Sequence, residues 1–175
     1  ELAERGLCPA ADFRSAERTF GLIVQVSGRA GRFHPDGAVL VQTYLPRNET
    51  IRLAAQGDLD GFYGKELEAR RQLGFPPFVR LIRLVFRSKN AAKSLESARA
   101  FVRRLDSETL REGAVEILGP AECPLAVISG NHRHQVLLRS RDFKKLHSLA
   151  RSALGSFSAP SSVYLEVDVD PVSLL

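Results

Sequence analysis

The first third of the chain carries first a helical and then an extended hydrophobic pattern. From Ser15, a candidate N-cap, apolar residues recur with the spacing of a helix that leads into residues 25–32. The apolar residues with this spacing are Phe20, Ile23 and Val24. A turn signal at 34–37 is followed by a nearly unbroken apolar run at 38–44, which predicts a strand buried on both faces.

Two more helices are predicted before a proline-rich break. Asn48 is expected to cap a short helix that runs through Ala55, and a second helix is expected over residues 60–73. The Gly-Phe-Pro-Pro sequence at 74–77 then combines a helix-ending glycine with two prolines. This sequence predicts a domain boundary.

Beyond the boundary, the pattern predicts the order β-α-β-β-α-β. Strands are expected at 78–88, 114–118, 133–139 and 162–170. Asn90 caps the first helix, whose expected apolar stripe is Ala92, Leu95, Ala98, Val102 and Leu105. The second helix starts near Asp142, with a stripe of Leu146, Leu149, Ala150, Ala153, Leu154 and Phe157. This order is that of an α+β, ferredoxin-like domain, with both helices on one face of an antiparallel sheet and the last strand beside the first.

Charged residues alternate on the two strands that are expected to be neighbours. Glu166, Asp168 and Asp170 share one face of the last strand, and Arg83 and Arg87 share one face of the first. We therefore expect cross-strand ion pairs. A strand spreads three such carboxylates about 6.5 to 7 Å apart, whereas the oxygen ligands of Ca²⁺ or Mg²⁺ gather round the ion.

Histidines and cysteines are the other candidates for metal or disulfide chemistry. His132 and His134 lie on one face of a predicted strand, with Arg133 on the other face, and the spacing specifies no third ligand. Cys8 and Cys123 are far apart in the sequence. They specify neither a disulfide framework nor a zinc site.

Composition and charge limit the class of protein. The 175 residues are 44% hydrophobic and 26% charged, which is typical of globular domains. No apolar run is long enough to cross a bilayer and no signal segment opens the chain, so we expect a cytoplasmic protein without membrane contact. The lack of methionine, even at position 1, indicates a piece of a longer protein. The net charge of +5 resides mainly in residues 77–175, and a basic excess favours nucleic acid as a partner.

The most specific pattern in the chain is QVSGRAGR at residues 25–32. It fits Q-x-x-G-R-x-G-R through Gln25, Gly28, Arg29, Gly31 and Arg32, and so resembles motif VI of superfamily-2 helicases. Glycines allow two lobes to approach closely, and guanidinium groups make planar, bidentate contacts with phosphate oxygens. The alternative is a helix C-terminus whose basic residues interact with the helix dipole before a turn.

Further segments extend this resemblance over essentially the whole chain. They are ADFRSAERTF (11–20), GAVLVQTYLP (37–46), FYGKELEARRQLGFPPF (62–78), LGPAECPL (118–125), GNHRHQVLL (130–138) and DVDP (168–171). Together with the motif they resemble the primosomal replication-restart DNA helicases (primosomal protein N′). The resemblance implies that residues 1–55 end the second RecA-like lobe, that residues 56–76 form a linking helix and boundary, and that residues 77–175 form a C-terminal α+β domain.

The same resemblance implies an ATP-dependent helicase that recognises stalled or forked DNA and restarts replication through primosome assembly. Arg32 is then the candidate arginine finger, Arg29 lies near the γ-phosphate, and Gln25 and Gly28 belong to the nucleotide-facing surface. The implied cofactors of the full-length protein are ATP and Mg²⁺, with zinc in an upstream module. None is expected in this chain, which lacks a Walker A loop and an acidic helicase box and is therefore predicted to be inactive alone.

The implied partners are forked and single-stranded DNA, single-stranded-DNA-binding protein and other primosomal proteins. The candidates for phosphate or partner contact in the C-terminal domain are Arg133, Arg139, Arg141, Lys144, Lys145 and Arg151. Two alternatives remain open. One is a non-catalytic nucleic-acid-binding module, and the other is an architectural module that braces the helicase lobes.

Overall fold

A computed structural model describes residues 13–33, 37–105 and 113–174, with the backbone alone at 31–33. It divides the chain into two compact units, one comprising Phe13–Leu73 and the other containing Gly74–Leu175. Cys8, one of the two cysteines, lies outside the described residues. Within the described ranges, every helix is too short or too polar to cross a bilayer.

The unit Phe13–Leu73 contains three helices, α1 (Ser15–Phe33), α2 (Glu49–Gln56) and α3 (Leu59–Leu73). The Arg14 carbonyl accepts a hydrogen bond from the Arg18 amide, and the helix begins at Ser15. Ser15 is therefore the first helical residue and not the predicted N-cap. The predicted cap of α2 is confirmed, because the Asn48 side chain accepts from the Ile51 amide. The core of this unit consists of Phe20, Ile23, Leu53, Ala54 and Phe62.

The strand predicted at residues 38–44 is wrong. These residues form no regular structure, and Leu40 and Tyr44 are fully exposed instead of buried. A strand needs a neighbour to satisfy its backbone hydrogen bonds, and no described residue pairs with this segment. The apolar pattern reports β-propensity, which does not by itself supply a partner strand.

The unit containing Gly74–Leu175 has the predicted order of elements. They are β1 (Arg80–Ser88), α4 (Ala91–Val102), β2 (Glu116–Ile128), β3 (Asn131–Ser140), α5 (Phe143–Ser156) and β4 (Tyr164–Val169). The sheet order is β2-β3-β1-β4, and every neighbouring pair is antiparallel. The last strand therefore lies beside the first, as the split β-α-β plan requires. Strand β2 is longer than predicted and is interrupted by two register shifts.

Both helices pack on one face of this sheet. Alternate residues of β1, Ile82, Leu84 and Phe86, point into a core that α4 and α5 cover. The predicted stripe of α5 is buried or partly buried here, whereas that of α4 is only partly right. Ala92 is exposed, and Phe101 occupies the centre of the core instead.

Candidate functional site

The motif residues lie on one side of helix α1. Gly28, Arg29 and Arg32 follow Gln25 by three, four and seven residues within the continuous helix Ser15–Phe33, a spacing that places all four positions on one helical face. The core residues of α1, Phe20 and Ile23, lie on the opposite side of the helix. The motif positions thus form a helical face that does not contribute to the core of this unit.

This motif face is open to solvent where the structure describes it. Gln25 and Arg29 are exposed. A Cβ atom added to Gly28 would meet no atom within 4 Å, so this face leaves the helix backbone accessible. The side chain of Arg32 lies outside the described part of the chain. An exposed guanidinium beside a bare glycine can contact an anionic group that approaches from outside.

One of the expected cross-strand ion pairs forms between Arg87 and Glu166, whereas Arg83 contacts an amide oxygen. Arg87 Nε lies 2.8 Å from Glu166 Oε1, as expected. Arg83 stands opposite Asp168 in the register, but its Nε donates to Gln135 Oε1 at 2.8 Å. This side chain is only 5% exposed. Besides the amide oxygen on β3, the Ser173 carbonyl accepts from its Nη1 at 3.3 Å.

The third carboxylate, Asp170, binds an arginine that sequence reasoning missed. Arg80 Nε donates to Asp170 Oδ1 at 2.9 Å, and this hydrogen bond lowers the pKa of Asp170. Along β1, Arg80 alternates to the opposite face from Arg83 and Arg87. The alternation of side chains in a strand therefore did not predict that Arg80 would pair with Asp170. Asp170 reaches it because the chain leaves β4 there, with a left-handed φ of 51°.

His134 is a buried structural residue. Its Nδ1 atom lies 2.7 Å from the Ser94 hydroxyl oxygen, and burial under the helices lowers its pKa. Among the residues that the structure describes, no three His, Cys, Asp or Glu side chains are placed to hold a metal ion. Cys123 is buried in the same unit, and this burial raises the pKa of its thiol.

Two of the six basic candidates in this unit take part in holding the sheet together. Arg139 Nε lies 2.7 Å from Glu116 Oε2 on β2, and its Nη1 donates to the Gly74 carbonyl. Arg133 Nη1 donates to the Leu125 carbonyl at 3.2 Å. Six residues separate Arg133 and Arg139 along β3, or about 20 Å. The structure therefore does not gather them into one phosphate-binding cluster.

The other four basic candidates lie on or beside helix α5. They are Arg141, Lys144, Lys145 and Arg151, and all are exposed. Lys144 and Arg151 are seven residues apart and so share one side of the helix. Helix α5 itself contains no carboxylate. The Asp142 side chain, directly before the helix, caps it by accepting from the Lys145 amide.

Comparison with known proteins supports the resemblance seen in the sequence. Residues 71–172 match the family model described as Primosomal protein N C-terminal domain. Proteins named replication restart protein PriA align with most of the chain. The protein from Treponema pallidum is 48% identical over 94% of the chain, and the protein from Borreliella burgdorferi is 36% identical over 94%. The protein from Synechocystis is 38% identical over 99% of the chain. The chain covers 25%, 24% and 20% of these three relatives. The match to the family model extends over more than half of the residues, and the chain therefore belongs to the Primosomal protein N C-terminal domain family.

Proposed function

We propose that the chain is the C-terminal part of an ATP-dependent DNA helicase that recognises stalled or forked DNA and restarts replication through primosome assembly. The observation that carries this proposal is the 48% identity with a replication restart protein over 94% of the chain. Because the chain covers a quarter of that relative, the other parts of the motor are supplied by polypeptide outside it.

In this proposal the motif face of α1 is one half of a nucleotide site. Arg32 is the arginine finger, Arg29 neutralises charge near the γ-phosphate, and Gln25 and Gly28 form the surface on which the opposite lobe closes. The exposure of Gln25 and Arg29 and the open space at Gly28 support such an approach. A guanidinium placed at the transferred phosphoryl group can raise the rate by about 10³ to 10⁵. It does so by stabilising charge that develops in the transition state.

The unit Phe13–Leu73 is then the end of the second RecA-like lobe. Its exposed apolar residues support this assignment, because a complete lobe would cover them. They include Leu22, Val26, Leu40, Tyr44 and Leu45. Contiguous exposed apolar surface marks interaction sites, and we expect the rest of the lobe to pack against these residues.

The cofactors of the proposed helicase are ATP, Mg²⁺ and the zinc of an upstream module. Bound ATP and Mg²⁺ supply the phosphoryl group and the charge that holds it. From this chain, Arg29 and Arg32 fit the phosphate end of the nucleotide, since guanidinium groups pair with phosphate oxygens. No cluster of ligands for zinc occurs within the described ranges. In this proposal, the zinc ligands belong to the upstream module of the full-length protein.

The role of Arg32 is tested by ATP hydrolysis in the complete helicase. Arg32→Ala is expected to lower kcat by at least 100-fold, and Arg32→Lys by nearly as much, because lysine lacks the planar fork. Folding and DNA binding should remain nearly intact. The control is Arg52→Ala, which removes an exposed charge from the neighbouring helix α2. Phosphate release at the wild-type rate from Arg32→Ala would refute the finger. Sustained ATP hydrolysis by this chain alone would refute the proposal that it supplies only one half of the nucleotide site.

The C-terminal unit contacts DNA and partner proteins in this proposal. Its partners are forked and single-stranded DNA, single-stranded-DNA-binding protein and other primosomal proteins. The exposed cations at α5 are the candidates for these contacts, and the lack of carboxylates in that helix supports contact with phosphates. The contacts of Arg133 and Arg139 within the sheet make these two residues weaker candidates.

The same basic helix supports a second candidate function, a nucleic-acid-binding module without motor chemistry. Gel-shift titrations of the chain with forked DNA at increasing salt test it. Replacing Lys144 and Arg151 by alanine should weaken binding and reduce the salt slope by about two. The control replaces Arg47 and Arg52, two exposed cations of the other unit. Strong binding by the chain, with no DNA-dependent ATP hydrolysis by the complete protein, would favour this module over the helicase.

A further inference from the structure

The two edge strands of the sheet differ in how their outer sides are protected. Strand β2 contains Pro120 and Pro124, and its pairing with β3 shifts register twice. Prolines and bulges are features by which natural edge strands resist pairing with another chain. Strand β4, at the other edge, pairs with β1 over six consecutive residues without a register shift and contains neither proline nor glycine. The edge at β4 is therefore the one suited to pairing with a further strand.

The outer side of β4 presents the backbone groups of alternate residues. The Asp170 amide donates to the Leu81 carbonyl on β1. Because backbone groups alternate in direction along an antiparallel strand, those of Val167 and Val169 point away from β1. No residue in the described part of the chain pairs with this side of β4. An extended segment can therefore form backbone hydrogen bonds at these two positions.

Apolar side chains are exposed along the same edge. Val167 and Val169 are 43% and 47% exposed. They lie on the side of the sheet that the helices cover, since Leu165, two residues before Val167, packs against the core there. Their cross-strand partners on β1, Leu84 and Ile82, are fully buried. The helices thus cover β1 but not the outermost valines, and a further strand would place its own apolar side chains against them.

The opposite side of β4 is acidic and determines which segment fits the edge. It carries Glu166 and Asp168, both exposed. Glu166 pairs with Arg87. Asp168 stands opposite Arg83 in the register, but that arginine donates to Gln135. A basic residue opposite these carboxylates on an added strand would be favourable, whereas a second copy of β4 would place carboxylates opposite carboxylates, which is destabilising.

We propose that the outer edge of β4 binds an extended segment of a partner protein in which basic residues alternate with β-branched apolar residues. The segment adds a fifth strand to the four-stranded sheet, and its backbone bonds to that of Val167 and Val169. Its apolar side chains pack against these valines, and its basic side chains face Glu166 and Asp168. This recognition needs neither ATP nor DNA, so it goes beyond the proposed function and is tested apart from it.

Fluorescence anisotropy with the labelled peptide Thr-Val-Arg-Val-Lys-Val-Thr tests the inference on the whole chain. This basic peptide should bind about 10-fold or more tightly than the acidic peptide Thr-Val-Glu-Val-Asp-Val-Thr. It should exceed by as much the peptide Val-Val-Val-Arg-Lys-Thr-Thr, which has the same composition without the alternation. Methyl groups on the valine amides, which would face β4, should abolish binding of the basic peptide. Methyl groups on its arginine and lysine amides, which would face away, should weaken binding less than about 3-fold.

Variants of the chain test the assigned side chain and the backbone contact separately. Asp168→Lys should weaken binding of the basic peptide about 10-fold and tighten binding of the acidic peptide, which loss of folding would not do. Glu96→Lys, the same change at an exposed position of α4, should alter either affinity less than about 2-fold. Val167→Pro removes an outward amide without removing a bond to β1 and should abolish binding, whereas Val167→Thr keeps this amide and should retain it.

Amide hydrogen exchange provides the site-specific measurement. The amides of Val167 and Val169 should exchange quickly in the chain alone, and the basic peptide should slow both about 5-fold or more. Equal binding of the basic and acidic peptides, or slowed exchange confined to β2, would overturn the inference. Slowed exchange at the two valines when only the concentration of the chain is raised would assign the edge to a second copy and would also overturn it.

Discussion

Single side chains determine how the sheet responds to pH, and His134 is the clearest case. It is 6% exposed and lies beside the Ser94 hydroxyl, 2.7 Å from it. Burial lowers the pKa of His134, the positive charges of His132 and Arg99 lower it further, and Glu122 opposes this effect. The folded unit therefore favours the neutral imidazole.

The expected consequence is a loss of stability in mild acid. The unfolded histidine titrates near pH 6.5, above its folded pKa, so the unfolded chain binds more protons as the pH falls through that region. The free energy of unfolding should therefore decrease from pH 7.5 to pH 5.5. Urea titrations at several pH values measure it. His134→Gln should flatten this dependence, and His147→Gln, at an exposed position on α5, should leave it unchanged. An equal pH slope in wild type and His134→Gln would contradict the role of His134.

Residue-level signals also show what strand alternation can and cannot predict about ion pairs. The period of two correctly placed Arg87 and Glu166 on one face of adjacent strands. It could not show that Arg83 would be buried and bound by Gln135, because burial depends on what covers the sheet. It also missed Arg80, since the left-handed backbone at Asp170 breaks the alternation.

At the level of elements, local signals predicted three N-caps and one helix-ending glycine correctly, although Ser15 is helical rather than an N-cap. Asn48, Asn90 and Asp142 each accept a hydrogen bond from the amide three residues later, which is the geometry that makes these residue types N-caps. Gly74 has a φ of 67°, as a helix-ending glycine requires. Residues 38–44 failed as a strand because strand formation depends on a distant partner. The motif on α1 stays a prediction, since the chemistry assigned to it needs a second lobe.

Helix α4 shows how an apolar stripe can be misplaced. The predicted stripe began with Ala92, which is exposed, and omitted Phe101, which is fully buried. Ser94 and Ser97 occupy buried positions that sequence reasoning treats as polar. Ser94 is tolerated there because its hydroxyl contacts the Ala91 carbonyl and His134. The true buried face is rotated relative to the predicted one.

This rotation predicts unequal effects of two substitutions on the same helix. Phe101→Ala should lower the free energy of unfolding by about 3–5 kcal/mol, because it removes a ring that packs against Phe86 and Phe157 and leaves a cavity. Ala92→Ser should change it by less than about 0.5 kcal/mol, as expected of an exposed position. Urea unfolding of both variants measures the difference. A loss for Ala92→Ser as large as that for Phe101→Ala would contradict the buried face described for α4.

For the molecule as a whole, the two units differ in how completely they bury apolar residues. The sheet unit encloses a core in which Leu84, Phe86, Phe101 and Leu138 are fully buried. The unit Phe13–Leu73 has a small core and exposes large apolar side chains on α1 and along the segment after it. Because apolar exposure of this kind is costly in water, it agrees with the proposal that this unit is completed by a helicase lobe outside the chain.

If the proposed lobe covers Leu40 and Tyr44, replacing both residues should change the stability of the complete protein much more than that of the present chain. Leu40 and Tyr44 are 96% and 102% exposed, so replacing both by serine should change the stability of the present chain by less than about 0.5 kcal/mol. In the complete helicase, the lobe would bury both side chains, and the same change should cost several kcal/mol. Thermal and urea unfolding of the chain and of the complete protein measure both effects. Leu84→Ser is the control, since it replaces a residue already buried in the sheet and should destabilise both proteins. Equal, small effects of the serine pair in both contexts would show that no lobe covers residues 40 and 44.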